Sequence, residues 1–180
     1  GLGDVVVGAH GFDNGQSNEG RAYLYLGSPS GLSASAAWTG ESNQAGAELG
    51  IWVASAGDVN GDGYSDVVVG ADRYASLETD EGRAYLYLGS ATGLASAPAW
   101  TADPADQGGA GFGSSVAGAG DVNGDGFADV VVGAYAWDGQ AVDEGRAYLF
   151  LGSATGLAST TAWTADQTDQ AGVYFGFSVA

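Results

Sequence analysis

Residues 58–66 read Asp-Val-Asn-Gly-Asp-Gly-Tyr-Ser-Asp, and residues 121–129 repeat them almost unchanged as Asp-Val-Asn-Gly-Asp-Gly-Phe-Ala-Asp. Both stretches place oxygen-bearing side chains at positions 1, 3, 5 and 9, and a glycine at position 6 that allows a sharp turn. This pattern suits a hard cation that takes six to eight oxygen ligands, so the sequence predicts two calcium loops. A simple Asx-rich turn is the alternative, but the repeated spacing favours calcium. The predicted ligands, with the backbone carbonyl at position 7, are Asp58, Asn60, Asp62, Tyr64 and Asp66 in one loop and Asp121, Asn123, Asp125, Phe127 and Asp129 in the other.

The residues after each loop predict a strand. The spacing resembles the first half of an EF-hand, but position 12 is Val69 or Val132 where that motif needs a bidentate glutamate. The runs 66–70 and 129–133 are β-branched and end in glycine, which is typical of strands. A dockerin-like helical module shares the Asp-Val-Asn-Gly-Asp-Gly string, but valine strands disfavour it. We therefore expect each loop to join two strands.

Composition narrows the class of protein. The 180 residues are 45% hydrophobic and include 33 glycines but only 3 prolines, which predicts one all-β domain with tight turns. The net charge is -18, and the four permanent cations are all arginines, so nucleic acid and anionic membrane surfaces are not expected partners. The absence of cysteine leaves the redox compartment open. The opening residues Gly1-Leu2-Gly3 predict neither a signal peptide nor a transmembrane span.

The chain consists of three copies of one unit. Asp58 and Asp121 lie 63 positions apart, whereas the first copy is one residue shorter. A period of this length indicates a propeller, solenoid or array. Each unit holds four short apolar strands, and the strand at 82–89 is apolar on both faces, as a propeller blade between two neighbours requires. The sequence therefore predicts an all-β propeller of four-stranded antiparallel blades, three per chain, at approximately 1–48, 49–110 and 111–174, with a terminal strand at 175–180.

Two further motifs recur at constant spacing and resemble a known family. A Phe-Gly pair occurs as Phe112-Gly113 and Phe175-Gly176 and becomes Leu49-Gly50 in the remaining copy, and a Gly-Ala pair occurs as Gly8-Ala9, Gly70-Ala71 and Gly133-Ala134. Together with the calcium loops, these motifs resemble the FG-GAP repeats of integrin alpha-chain propellers and of many secreted bacterial proteins. The resemblance implies a closed propeller with calcium on the lower face, a ligand surface on the upper face, and an extracellular location. The proline of the family's Gly-Ala-Pro element is absent from every copy.

The two ends of the chain align with complementary parts of one blade. Asp4 aligns with Asp66, and residues 174–180 align with the first strand of a blade. Closed propellers usually have four to eight blades, so we expect two chains to close head to tail into a six-bladed homodimer, each donating its terminal strand. A fragment of a larger propeller is the alternative, and the close similarity of the copies fits recent duplication or deliberate design. No well-formed calcium site is expected beside Asp4.

One aromatic side chain per unit falls in the predicted upper loops: Phe12, Tyr74 and Trp137. These residues are candidates for contact with a protein or glycan ligand, and the alternative is that each packs against its neighbours. Tryptophans at 38, 100 and 163 are expected to pack at the blade edges. A glutamate precedes Gly-Arg in each unit, at 19, 81 and 144, and is expected either to pair with that arginine or to cap a turn.

Catalysis is not expected. His10 is the only histidine, no cysteine is present, and the chain has neither a nucleophile elbow nor a phosphate loop. The sequence therefore predicts a non-catalytic, calcium-stabilised scaffold or protein-interaction module outside the cytoplasm. A carbohydrate-binding propeller lectin is the alternative.

Overall fold

The computed structural model describes residues 2–166 and 170–180, so residues 167–169 of the predicted third blade lie outside the described part. Within the described residues the chain forms thirteen β-strands and no helix. It follows that none of these residues belongs to an apolar helix long enough to span a membrane.

The first unit is a three-stranded antiparallel sheet in the order β1-β2-β5. β1 pairs with β2 through five residue pairs, from Val5 opposite Tyr25 to Ala9 opposite Arg21. A separate two-strand hairpin, β3-β4, lies in the connection to β5. The elements are β1 Val5–Ala9, β2 Arg21–Tyr25, β3 Gly27–Ser28, β4 Gly31–Leu32 and β5 Trp38–Glu41.

The second and third units are four-stranded antiparallel sheets whose strands follow chain order. They confirm the prediction of four-stranded antiparallel blades. β10 begins at Phe112 and runs to Gly120, which makes it the longest strand of the described residues. The elements are β6 Trp52–Gly57, β7 Asp66–Ala71, β8 Arg83–Tyr87 and β9 Trp100–Ala102, then β10 Phe112–Gly120, β11 Asp129–Ala134, β12 Arg146–Phe150 and β13 Trp163–Ala165.

The sheets stack face to face, and the middle sheet is covered on both sides. Every residue of β7 is buried. Val68 belongs to the apolar cluster shared with the third unit, whereas Val67 and Val69 belong to the cluster shared with the first. Successive side chains of a strand point to opposite faces, so a run of three valines supplies both interfaces at once.

The Phe-Gly and Gly-Ala motifs meet where neighbouring units join. Phe112 is fully buried, and its ring lies 5.2 Å from that of Tyr148 in an edge-to-face arrangement. Gly113 has a φ of +87°, which favours glycine. A β-carbon on Gly70 would lie 1.8 Å from the carbonyl oxygen of Gly113. Both glycines are therefore required because the backbones approach too closely for any side chain.

Candidate functional site

The two predicted calcium loops occupy the same place in successive units. Residues 58–65 connect β6 to β7, and residues 121–128 connect β10 to β11. The structure therefore places both loops between the first and second strands of a four-stranded sheet, as the sequence predicted. Gly61 and Gly63 adopt φ values of +73° and +88°, and this left-handed backbone turns the loop on itself.

In the first loop, the side chains at positions 1, 3 and 5 are drawn together. The Oδ1 atom of Asp58 accepts a hydrogen bond from the Asp62 N–H at 3.0 Å, and its Oδ2 atom accepts one from the Gly63 N–H at 2.8 Å. The Nδ2 group of Asn60 donates to Oδ2 of Asp62 at 2.9 Å. The three oxygen-bearing side chains thus share one small exposed region.

The second loop repeats this arrangement. Asp121 accepts from the N–H groups of Asp125 and Gly126 at 3.1 and 2.8 Å, and Asn123 donates to Asp125 at 2.9 Å. The Gly126 N–H, supported by other loop amides, lowers the pKa of Asp121 because these donors favour the ionised carboxylate. The two loops have different neighbours but adopt the same geometry, so the loop's own sequence determines that geometry.

The aspartate at position 9 has a different environment. Asp66 is buried, and its two oxygens accept hydrogen bonds from the N–H groups of Val59 and Gly89, both at 2.8 Å. Burial raises the pKa of Asp66 despite these donors, and the negative charges of Asp62 and Asp58 add to the increase. Asp129 makes the equivalent bonds, and it accepts from Val122 and Gly152 at 2.8 Å each. Position 9 therefore fastens the loop to the end of the third strand.

The first unit repeats one of these two hydrogen bonds. Oδ1 of Asp4 accepts a hydrogen bond from the Gly27 N–H at 2.8 Å, as Asp66 does from Gly89. The described residues contain no group of three Asp, Glu, His or Cys side chains close enough to form a metal cluster. The donor chemistry nevertheless fits a hard cation, because each loop presents two carboxylates and an amide oxygen in one region, with the buried carboxylate of position 9 in the same loop.

At the opposite ends of the strands, the three candidate ligand-facing aromatics contact arginines. Phe12, Tyr74 and Trp137 are half-buried, and each ring is covered by the guanidinium of the arginine that begins β2, β8 or β12 of the same unit. The distances from ring centroid to guanidinium carbon are 4.0 Å for Arg21, 4.0 Å for Arg83 and 3.3 Å for Arg146. Such cation–π stacking occupies one face of each ring, which favours the packing alternative over a sugar platform.

The ion pairs of these arginines differ from the expectation for Glu19, Glu81 and Glu144, the glutamates two residues before them. Each arginine pairs with an acid on or directly after the strand that follows its own in the sheet, namely Glu41, Asp103 or Asp166. The ion-pair expectation is therefore wrong, because the glutamate side chain points into its own loop. Glu81 is buried and accepts from the N–H groups at 76, 77 and 78, and Glu144 accepts from the Ala141 N–H at 3.1 Å. The turn-capping alternative holds for these two glutamates.

Sequence reasoning missed a glutamine clamp between successive units. The side-chain amide of Gln44 donates to the Ala75 carbonyl at 2.8 Å and accepts from the Ala75 N–H at 2.7 Å. Gln107 makes the same pair of bonds with Asp138, at 3.0 and 2.6 Å. The signal was available, because a glutamine recurs at 44, 107 and 170 with the repeat period.

Comparison with known proteins agrees with this geometry. The family model described as FG-GAP repeat matches residues 50–87 and 112–150, which contain both loops. The chain is 34% identical to integrin alpha-IIb of Mus musculus over 139 residues, which is 73% of this chain and 13% of that protein. It is 35% identical to integrin alpha-6 of Gallus gallus over 127 residues, 68% of this chain and 11% of that protein. The chain therefore spans only about an eighth of the length of these relatives. Residues 50–87 and 112–150 are therefore two FG-GAP repeats, and the identity to integrin alpha chains over most of this chain supports the resemblance drawn from the sequence.

Proposed function

We propose that this chain is a calcium-binding, non-catalytic propeller scaffold that recognises other proteins and assembles with a second copy of itself. The observation that carries the calcium part is the shared geometry of the two loops. In both, the oxygens at positions 1, 3 and 5 converge while position 9 is fastened to the sheet.

The ion would be held by the predicted residues of each loop. Asp58, Asn60, Asp62 and the carbonyl of Tyr64 would supply oxygens in the first loop, with Asp66 behind them, and the second loop would use its equivalents. Bound calcium would supply positive charge among carboxylates that otherwise repel one another. The chain itself does the positioning: the glycines turn the loop, and the amides at Val59 and Gly89 hold the position-9 carboxylate.

Two observations support a scaffold rather than an enzyme. Outside the loops, Asp103 and Asp166 form ion pairs with arginine, and Glu81 and Glu144 cap turns, so these carboxylates serve packing. The integrin relatives share this architecture of repeats, which supports an interaction module by analogy. An extracellular setting agrees with the dissociation constants of about 10⁻⁴ to 10⁻³ M that are typical of extracellular calcium modules.

Calorimetric titration of the chelator-treated protein with calcium tests this proposal. We expect two sites per chain, and a thermal unfolding midpoint that rises with calcium. At a free calcium concentration of 100 times Kd, each site adds about 2.7 kcal/mol to the free energy of unfolding. Asp62→Ala should remove one site and leave the other, as should Asp125→Ala. An unchanged melting curve in excess chelator, with no heat of calcium binding, would contradict the proposal.

A further inference from the structure

We propose that the third unit docks onto the first unit of a second copy through the same contacts that join neighbouring units within the chain. The donor face comprises Val122, Trp163, Gln170 and residues 177–180. The acceptor face comprises β1, Asp13, Tyr25, Ser28 and Ser33. This inference rests on the self-assembly proposed above and specifies the surfaces that perform it.

A tryptophan contact occurs at both internal junctions. The Nε1–H of Trp38 donates to the Ala95 carbonyl at 2.9 Å, and the ring lies 4.7 Å from that of Tyr87. Trp100 does the same to the next unit, where it donates to Ala158 at 3.0 Å and its ring lies 4.9 Å from that of Phe150. The contact is therefore a repeated property of the junction.

A loop valine makes a second contact. Val59 follows the first residue of its calcium loop, is fully buried, and accepts a hydrogen bond at its carbonyl from the Ser153 N–H at 3.0 Å. The glutamine clamps of Gln44 and Gln107 form the third contact. Both junctions between units thus combine an indole and an amide contact, and the junction of the second and third units adds the apolar loop residue.

The third unit presents the same groups without partners among the described residues. Trp163 and Val122 are 50% and 53% exposed, and Gln170 is exposed as well. Their counterparts Trp100 and Val59 are half-buried and fully buried. Exposed aromatic and apolar groups arranged as in a formed interface indicate an interaction surface.

The first unit presents the matching acceptors. Counting along the repeat, Tyr25 is the equivalent, in the first unit, of Tyr87 and Phe150, whose rings contact the indoles of Trp38 and Trp100. Tyr25 is half-buried, whereas Tyr87 is only 2% exposed. Ser33 stands in the place of Ala95 and Ala158, and its N–H already bonds to Leu26 as theirs do to Leu88 and Leu151. By the same count, Asp13 would meet Gln170, and the Ser28 N–H would meet the Val122 carbonyl.

The strand segment 177–180 completes the match. Val53 lies opposite Val69 in the β6-β7 pair, and Val116 lies opposite Val132 in the β10-β11 pair. The equivalent residues are Val179 and Val7, so Val179 would pair with Val7 of the second copy. Phe175, just before this segment, already forms an isolated parallel β-bridge with Gly145, as Phe112 does with Gly82 at the start of the first strand of the third unit.

A second copy satisfies both faces at once. Docking of a donor face onto an acceptor face is head-to-tail, so it closes only when the rotation completes a ring. Two copies supply six units, which lies within the range of four to eight blades in closed propellers. The contacting groups are apolar or neutral apart from Asp13, so the net charge of -18 on each copy is kept largely out of the interface.

Disulfide trapping tests the pairing, because the natural chain has no cysteine to interfere. Val7→Cys and Val179→Cys are made separately, mixed in calcium and oxidised. Directly opposed residues of an antiparallel pair have Cα atoms about 4.5–5.5 Å apart, within disulfide range. We expect a covalent heterodimer from the mixture and little product from either variant alone. The double variant should give a covalent dimer rather than a ladder of larger species.

Light scattering with Trp163→Ala provides the second measurement. This truncation should raise the dissociation constant of the dimer by at least about 30-fold, as for an interface hot spot. Leu77→Ala is the matched control, since Leu77 is 82% exposed but lies outside both faces. A monomer at every concentration without heterodisulfide, or a ladder of polymers, overturns the two-copy ring. Calcium titration of the Trp163→Ala monomer reports on the calcium proposal separately, because both loops lie within one chain.

Discussion

β1 and β7 lie in opposite environments although their sequences are the same. The chain reads Asp-Val-Val-Val-Gly-Ala at 4–9 and again at 66–71. Val5 and Val7 are 40% and 43% exposed, whereas Val67 and Val69 are 7% and 0% exposed. The difference shows that a blade strand's own sequence gives it the capacity for burial on both faces, and that the neighbouring units determine whether this burial occurs.

The largest effect should come from the aromatic of the Phe-Gly motif. Phe112→Ala removes a fully buried ring between two sheets and should lower the free energy of unfolding by about 3–5 kcal/mol. Phe175→Ala removes a half-buried ring at the equivalent place and should cost clearly less in the monomer. Denaturant titration of both variants measures the difference. Equal losses would show that the third unit is already covered as fully as the second.

The position-9 aspartates give the next contrast. Asp66→Asn removes a carboxylate whose two oxygens both accept buried backbone donors, and it should cost about 1–3 kcal/mol in addition to weakening calcium binding in that loop. Asp4→Asn retains one oxygen for the Gly27 N–H and should change stability by less than about 0.5 kcal/mol. Thermal melts with calcium and with chelator separate the hydrogen-bond loss from the metal loss. A calcium-dependent effect of Asp4→Asn would show that a third site forms beside it.

Val69 of β7 and Val7 of β1, which occupy equivalent positions of the repeat, test the comparison most directly. Val69→Ala should destabilise the chain by about 2 kcal/mol because it leaves a cavity between the first and second units. Val7→Ala should change the stability of the monomer by less than about 0.5 kcal/mol, since its side chain is exposed. Urea titrations at low and high protein concentration measure both. A cost for Val7→Ala that grows with protein concentration would indicate that a second copy covers β1.

The smallest effect concerns the residue after each of these strands, which is His10 after β1 and Asp72 after β7. Burial raises the pKa of Asp72, and the charge of Glu48 adds to the increase. A carboxyl whose folded pKa is raised destabilises the fold once it ionises, so Asp72→Asn should raise the melting temperature slightly at pH 7. The gain should disappear as the pH falls below the ordinary aspartate pKa, about 3.9, because the carboxyl is then neutral in both states.

Melting curves of Asp72→Asn at pH 7 and pH 3 check this expectation. Asp80→Asn is the control, because Asp80 is exposed and its substitution removes the same charge from the surface. A stabilisation that is the same at both pH values would contradict the burial explanation.

Much of the fold could be predicted because it depends on local patterns. The valine strands and the loop glycines are each encoded within about ten residues, and the 63-residue period repeats them. Together they placed β7, β11 and the loops between strands correctly. The stacking of Arg83 on Tyr74 could not be predicted in this way. Those residues lie nine apart in sequence, and their contact depends on how the chain returns from the second strand to the third.

The close approach of the loop side chains could be predicted from the sequence, whereas their binding of calcium stays a prediction. Asp58, Asn60 and Asp62 come together as the spacing indicated, because they lie within a single turn. The buried position of Asp66 depends on the Gly89 amide, 23 residues later, and the clamp of Gln44 on Ala75 crosses from one unit to the next. Contacts between units become visible in a sequence only when the copies are aligned and the partner surface is known.

The junction between units also has an evolutionary consequence. Because each repeat carries an indole and a glutamine on one side and their acceptors on the other, any copy can follow any other copy. A tandem duplication of 63 codons therefore adds a unit that fits its neighbours at once, without a compensating mutation in either of them. Lineages that inherit such a repeat can change their number of blades in a single genetic step, whereas the surface loops of each blade remain free to diverge.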